Sequence, residues 1–249
     1  MERKKYILTL LFLLLFASAL ANGGASNRSL IYKAYISGEM TLWKGVVDKM
    51  QINLKPEPDY LLELLNYQYG YIGWALGSGN KSEAEKYLQR VKNNLNLLKS
   101  KTGETSMTLF YASVINSFSI PFNKLKIAHY GMESLELAER SLERDAANPY
   151  ANMQYASCYY YMPAIFGGSK SKGLLYYSRS RKYMELSSYD NNEDWNYLSL
   201  LVQIAQVYSD LKKYEEALDI YRLILKREPG FVWVKNELYP KVLKRKNRI

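Results

Sequence analysis

Residues able to do chemistry are few in this 249-residue chain, which holds one histidine and one cysteine. His129, in Ile127-Ala128-His129-Tyr130, has no serine or cysteine patterned beside it as a nucleophile would be beside its base. Cys158 sits between Ala156 and Tyr159 in a mostly apolar run, and reads as a small buried hydrophobe. One thiol makes no internal disulfide, and one histidine with one cysteine makes no zinc site of the usual kinds. Carboxylates pair at Glu133 and Glu136, Glu193 and Asp194, and Glu215 and Glu216, but at helix starts or on polar faces, where acids are favourable for structural reasons. Gly167-Gly168-Ser169-Lys170 lacks the first glycine at P-loop spacing. It reads as a helix connection; the functional alternative is anion binding at the next helix start, with Lys170, Lys172, Arg179 and Lys182 as the cations. The sequence therefore nominates no catalytic residue, no metal ligand and no cofactor.

Binding chemistry is better represented. Tyrosine occurs 24 times. Tyr67, Tyr71 and Trp74 stand at i, i+4 and i+7 and share one helix face, either a core stripe or a binding surface. The formal charge is +10. The excess gathers at Lys170, Lys172, Arg179, Arg181 and Lys182 and in the tail at Lys241, Lys244, Arg245, Lys246 and Arg248. Such charge suits an acidic surface or ligand, and equally a solvated helix face.

These residues must be positioned by helices, since no stretch alternates apolar and polar residues long enough for a strand. The expectation is an all-α chain of five antiparallel helix pairs. Residues 28–38 and 41–53 form the first pair, 60–76 and 81–99 the second, 104–118 and 123–145 the third. Residues 150–162 and 170–187 form the fourth, 193–211 and 214–226 the fifth, and 231–246 a capping helix. Lys55-Pro56-Glu57-Pro58-Asp59 breaks the chain, with Asp59 placed to cap the next helix. Pairs of roughly 35 to 45 residues are the period of a solenoid.

The fifth pair specifies the type. Leu201, Ile204, Ala205, Tyr208, Ala217, Tyr221 and Pro229, with the turn Leu211-Lys212-Lys213-Tyr214, follow the spacing of the tetratricopeptide repeat. Lys212 stands where that pattern has glycine, and Gly173 in the fourth pair stands where it has alanine. The second pair matches less fully, with Gly73 as its small crossing residue. The stretch Asn148-Pro149-Tyr150 through Pro163, Phe166, Gly168 and Lys170 resembles a variant of exported bacterial tetratricopeptide proteins. This resemblance implies a right-handed solenoid whose first helices line a concave groove. On that frame Tyr67, Tyr71, Trp74, Tyr150, Met153, Tyr160 and Gln206 become groove candidates, and a peptide or partner protein the expected ligand. The other expectation is a small-ligand receptor with an enclosed aromatic cavity, similar to helical-repeat components of solute transporters.

Location is read from the first residues. Arg3, Lys4 and Lys5 precede an uncharged apolar run from Tyr6 to Leu20, and Ala19-Leu20-Ala21 offers a peptidase site. The run of about 15 residues is short of the roughly 20 that cross a bilayer. The division is thus a cleavable signal at 1–21, a leader at 22–27 and a helical-repeat domain at 28–249. Export to a bacterial periplasm or beyond disfavours nucleic acid as a partner. Membrane contact would arise only from an uncleaved signal or from the basic tail.

Overall fold

In the computed structural model, residues 25–248 are described, apart from Ser187; the expected signal segment lies outside them. Eleven α-helices follow in order: α1 Asn27–Ser37, α2 Met40–Ile52, α3 Pro58–Gly77, α4 Lys81–Thr102, α5 Ser106–Ser119, α6 Ile127–Arg144, α7 Pro149–Tyr161, α8 Lys170–Met184, α9 Trp195–Asp210, α10 Tyr214–Arg227 and α11 Tyr239–Lys246. A π-helical turn, Val234–Leu238, leads into α11. The described residues contain no strand. They form an all-α solenoid of five antiparallel pairs with a capping helix.

Local chemistry sets the boundaries. Ser26, Asn80, Thr105, Asn148, Ser169 and Asp194 each turn a side-chain oxygen onto a backbone N–H in the first turn of the next helix. Asp59 does not cap α3: Glu57 occupies that position and Pro58 opens the helix, so Asp59 contributes only its charge to the first turn. Helix α6 starts at Ile127, four residues later than its sequence suggests, because Ile120–Phe122 and Lys124–Lys126 are 3-10 turns.

The repeat departures have physical reasons. Lys212 adopts the left-handed conformation of the glycine it replaces, with φ of 60°. A Cβ at Gly173 would lie 3.1 Å from Tyr160 Cβ and 3.2 Å from the Ala156 carbonyl, so the usual alanine would need α7 to give by a few tenths of an ångström. On α3 the tightest approach is at Gly70, toward the first and fifth pairs, and not at Gly73. A Cβ at Gly70 would lie 2.4 Å from Trp43 and 2.8 Å from Trp195, whereas Gly73 has only Phe118 at 3.8 Å.

The third pair is held by hydroxyls. Ser106 and Ser141 each donate to the other's carbonyl, at 2.9 and 2.7 Å, and Ser113 and Ser134 do the same at 2.6 and 2.9 Å. Small side chains let α5 and α6 approach, and the reciprocal bonds satisfy groups buried away from water.

The solenoid closes on itself. Trp195 at the head of α9 lies with its ring centroid 5.0 Å from Trp43 in α2, 5.8 Å from Tyr35 in α1 and 5.8 Å from Tyr69 in α3. Arg28 of α1 reaches the loop before α9, with Nη1 2.8 Å from Asp190 Oδ2. Tyr32 donates to Glu228 at 2.5 Å. The first pair thus packs on the last, and aromatic rings occupy the middle of the concave side.

Candidate binding pocket

Closure leaves a pocket of about 360 Å³ where the starts of α1, α5, α7 and α9 meet the first half of α3. The aromatic wall is Tyr67, Tyr111, Tyr150, Tyr189 and Trp195. Its charged groups are Arg28 and four acids, Glu63, Asp190, Glu193 and Asp194.

Each wall residue is fixed by a bond behind it. Tyr67 donates its hydroxyl to Glu63 at 2.9 Å, and Tyr189 donates to Asp194 at 2.6 Å. The Tyr150 and Tyr189 hydroxyls are 3.2 Å apart. The Trp195 indole N–H donates to Asn66 Oδ1 at 2.8 Å, while Asn66 and Asn196 exchange side-chain bonds at 3.2 Å. Asp194 also caps α9, accepting from the Asn196 N–H at 2.9 Å. Glu193 has φ of 44°, an uncommon conformation for a residue with a Cβ, and stands between the capping acid and Arg28. Burial drives the phenols of Tyr67, Tyr150 and Tyr189 well above their ordinary values, and neighbouring acids push the same way. They therefore remain protonated donors. Arg28 is taken up by Asp190 and by the Asn192 and Glu193 carbonyls. The pocket thus presents aromatic faces and negative charge to a visitor, a combination that suits a cationic group.

A second, wider cleft of about 670 Å³ lies beyond Arg28, lined by Tyr32, Lys33, Asn191, Arg227 and Glu228 among others. Its lining is mostly polar and charged, with Tyr32 and Ile36 as the apolar part, and Glu193 borders both cavities.

The pocket gathers two of the seven groove candidates, Tyr67 and Tyr150. Tyr71 and Trp74 lie elsewhere. Tyr71 packs at 4.6 Å on Tyr87 of α4, inside its own pair, with Trp74 beside it at 5.4 Å, half-exposed. The i, i+4, i+7 stripe is therefore split between two environments. Met153 is core; Tyr160 is half-buried at the far end of α7, donating to Asp210 at 2.9 Å; Gln206 is half-buried on α9. The proposed cations do not form one site. Lys170 faces Asp210, Lys172 lies over the Tyr159 ring at 3.8 Å, Arg179 lies over Tyr176 at 5.2 Å, and Lys182 is exposed nearer the other end of α8. Ser169 caps the helix start that was to receive the anion. His129 is exposed on α6 beside Glu133, at 3.4 Å.

Sequence reasoning passed over Arg28, Glu63, Tyr111, Tyr189, Trp195 and Asn196. All but Glu63 and Tyr111 lie at a helix boundary or in the loop before α9, where periodicity carries no information. The one available signal was Asp194-Trp195, a capping acid followed by a large aromatic at the head of a first helix.

No family model and no curated protein sequence matches the chain. Solved structures do. TTC0263, a thermophilic tetratricopeptide-repeat protein of Thermus thermophilus, aligns over 82% of this chain and 88% of its own, with 16% identity and a TM-score of 0.51. This chain has the tetratricopeptide-repeat fold. The HusA haemophore of Porphyromonas gingivalis is also similar, over 76% of this chain and 96% of its own, with 18% identity and a TM-score of 0.57. At such identities the tetratricopeptide likeness speaks for architecture, and the pocket must speak for itself.

Proposed function

We propose that this protein is a non-enzymatic helical-repeat binding protein, exported across the inner membrane, which captures a peptide or a segment of a partner protein by a cationic side chain. One observation carries the reading: five aromatic residues and four acids, drawn from four helices and one loop, converge on a single pocket. Its volume suits one long side chain rather than a threaded strand, because Trp43 and Trp195 fill the concave side next to it. Lysine or arginine would lay its stem along Tyr67, Tyr150 and Trp195 and set its charge among Glu63, Glu193 and Asp194.

A small-ligand carrier is the second reading, favoured by the pocket's size and by the shared fold of a haemophore. An anionic ligand such as one bearing propionates is disfavoured here, since the wall carries four acids and one engaged arginine. A cationic metabolite fits the same wall.

Peptide-array binding, with titration of selected peptides, tests the reading. Lysine- and arginine-bearing peptides should be enriched. The combined Glu63→Gln and Glu193→Gln change should weaken them by at least about tenfold, the scale of losing a charge-assisted contact. Equal binding by that variant and by Tyr150→Ala would remove the pocket from the account. Binding of cationic metabolites without peptides would select the second reading. Mass spectrometry of protein from the native envelope tests export; a mature chain beginning at Asn22 is expected.

A further inference from the structure

The opposite edge of the solenoid carries a different chemistry. Helices α5 and α7 run parallel: Asn148 Nδ2 meets Met107 Sδ at 3.4 Å, Tyr150 packs on Phe110, and Gln154 reaches Ser113 and Ser117 at 2.9 and 3.2 Å. Their C-terminal ends, and the two long linkers after them, therefore lie side by side. On to the fifth pair, Tyr160 and Lys170 both meet Asp210 at the end of α9, and Arg245 of α11 lies within 3.9 Å of it. The two linkers, the α9–α10 turn and the basic tail thus form one continuous edge.

Apolar side chains project from it. Leu125 is 99% exposed, Ile165 86% and Phe166 58%. Their loops are tied down. Phe122 anchors the first linker to the core, and Ser169 N–H to Tyr159 O at 2.9 Å with Gly168 N–H to Pro163 O at 3.2 Å closes the second. A Cβ at Gly168 would lie 1.8 Å from the Met162 carbonyl, so the second loop is folded too tightly for any other residue. Cations lie on the same linkers, turn and tail: Lys126, Lys170, Lys172, Lys212, Lys213, Arg245 and Lys246. Asp210 is shared between Lys170 and Arg245, and Glu215 pairs with Lys246, so the cations of this edge still outnumber its acids. No helix among the described residues is long and apolar enough to cross a membrane.

We infer that this edge docks on an anionic lipid surface, with Leu125, Ile165 and Phe166 entering the headgroup–acyl boundary and the lysines meeting lipid phosphates. Charge complementarity selects the occupant, and shape supports it. Single apolar side chains standing on separate ordered loops suit a fluid interface, while a protein partner would have to supply a matching hole for each. Docked in this way, the protein turns its acidic, aromatic pocket away from the lipid.

Residues 22–249 should be sedimented with phosphatidylcholine vesicles and with vesicles that also contain phosphatidylglycerol. Binding is expected only to the anionic vesicles, and it should fall with added salt. The combined Leu125→Ser, Ile165→Ser and Phe166→Ser variant should bind at least about tenfold more weakly, and Lys126→Glu with Lys213→Glu should lose about fivefold per lysine. All five positions are on the surface, so both variants should melt like the parent. A Phe166→Trp reporter should shift to the blue and be quenched by brominated acyl chains. Glu63→Gln with Glu193→Gln should leave vesicle binding unchanged, which separates this surface from the pocket. Absence of binding to anionic vesicles, equal binding to neutral ones, or undiminished binding by the serine variant would overturn the inference.

Discussion

Replacing Gly70 by alanine tests the centre of the molecule. In an ordinary helix interior the change stabilises by about 1 kcal/mol, because glycine loses more backbone freedom on folding. At this position the new methyl would lie 2.4 Å from Trp43 Cζ2 and 2.8 Å from both Trp43 Cη2 and Trp195 Cη2. Carbon atoms pack at about 3.5–4.0 Å, so both indoles must retreat by about an ångström. Neither is free to do so. Trp43 is buried and donates to the Tyr67 carbonyl at 2.8 Å, and Trp195 donates to Asn66 at the same distance. Overpacking a rigid core costs about 1–3 kcal/mol, and each strained indole bond adds up to about 1. The net expectation is a loss of about 1–3 kcal/mol, or roughly 3–10 °C in melting temperature for a domain of this size. Guanidinium unfolding, monitored by tryptophan emission, should show a lower midpoint at unchanged slope. Gly73→Ala is the matched control: only Phe118 lies near, at 3.8 Å, so the propensity gain should survive and the midpoint rise. A Gly70→Ala midpoint equal to or above the parent's would refute the placement of both indoles, and with it the filled concave side. Because Trp195 also walls the pocket, the same variant should weaken any pocket ligand.

Asp48 supplies a test by pH. Burial alone would raise its carboxyl, but hydrogen bonds from Tyr87 at 2.6 Å, Arg90 at 2.5 Å and Lys44 at 3.3 Å outweigh this and hold it below the usual range. A depressed carboxylate stabilises above its unfolded pKa of about 3.9 and loses that contribution as pH falls through the folded value. Asp48→Asn should therefore destabilise by about 1–2 kcal/mol at neutral pH, with the gap to the parent closing below about pH 4 in urea titrations. Cys158 makes a kinetic test. Its thiol is buried beside Ser134 and pushed up by that burial, so disulfide-reagent labelling at mildly alkaline pH should be slow in the native state. Labelling should accelerate only with denaturant, in step with unfolding; fast native labelling would contradict the packing of α6 on α7.

The helices were legible because their apolar positions repeat and their ends carry caps and prolines. Even Lys212, misfit to the repeat consensus, fell in the turn that the neighbouring residues define. Superhelical closure was not legible. It rests on Arg28, Asp190 and Trp195, residues over 160 positions apart for the ion pair, with no shared period. For the same reason the stripe Tyr67, Tyr71, Trp74 could not be assigned to one surface: which face of α3 meets α4 and which meets α9 depends on the last pair, not on α3 itself. The hydroxyl bonds between α5 and α6 were likewise hidden, since serine reads as polar surface until its partner is known.

Closure also constrains how many repeats can stand between the first pair and the fifth. An open solenoid tolerates insertion or loss of a unit, because each repeat answers only to its neighbours. Here the first helix answers to the ninth: Arg28 must find Asp190, and the indoles of Trp43 and Trp195 must meet over Gly70. One unit fewer would leave the indoles unpartnered, and one more would carry them out of reach. The chain therefore behaves as a ring with a counted circumference, and it can diversify by altering its linkers and rim without changing its length in units.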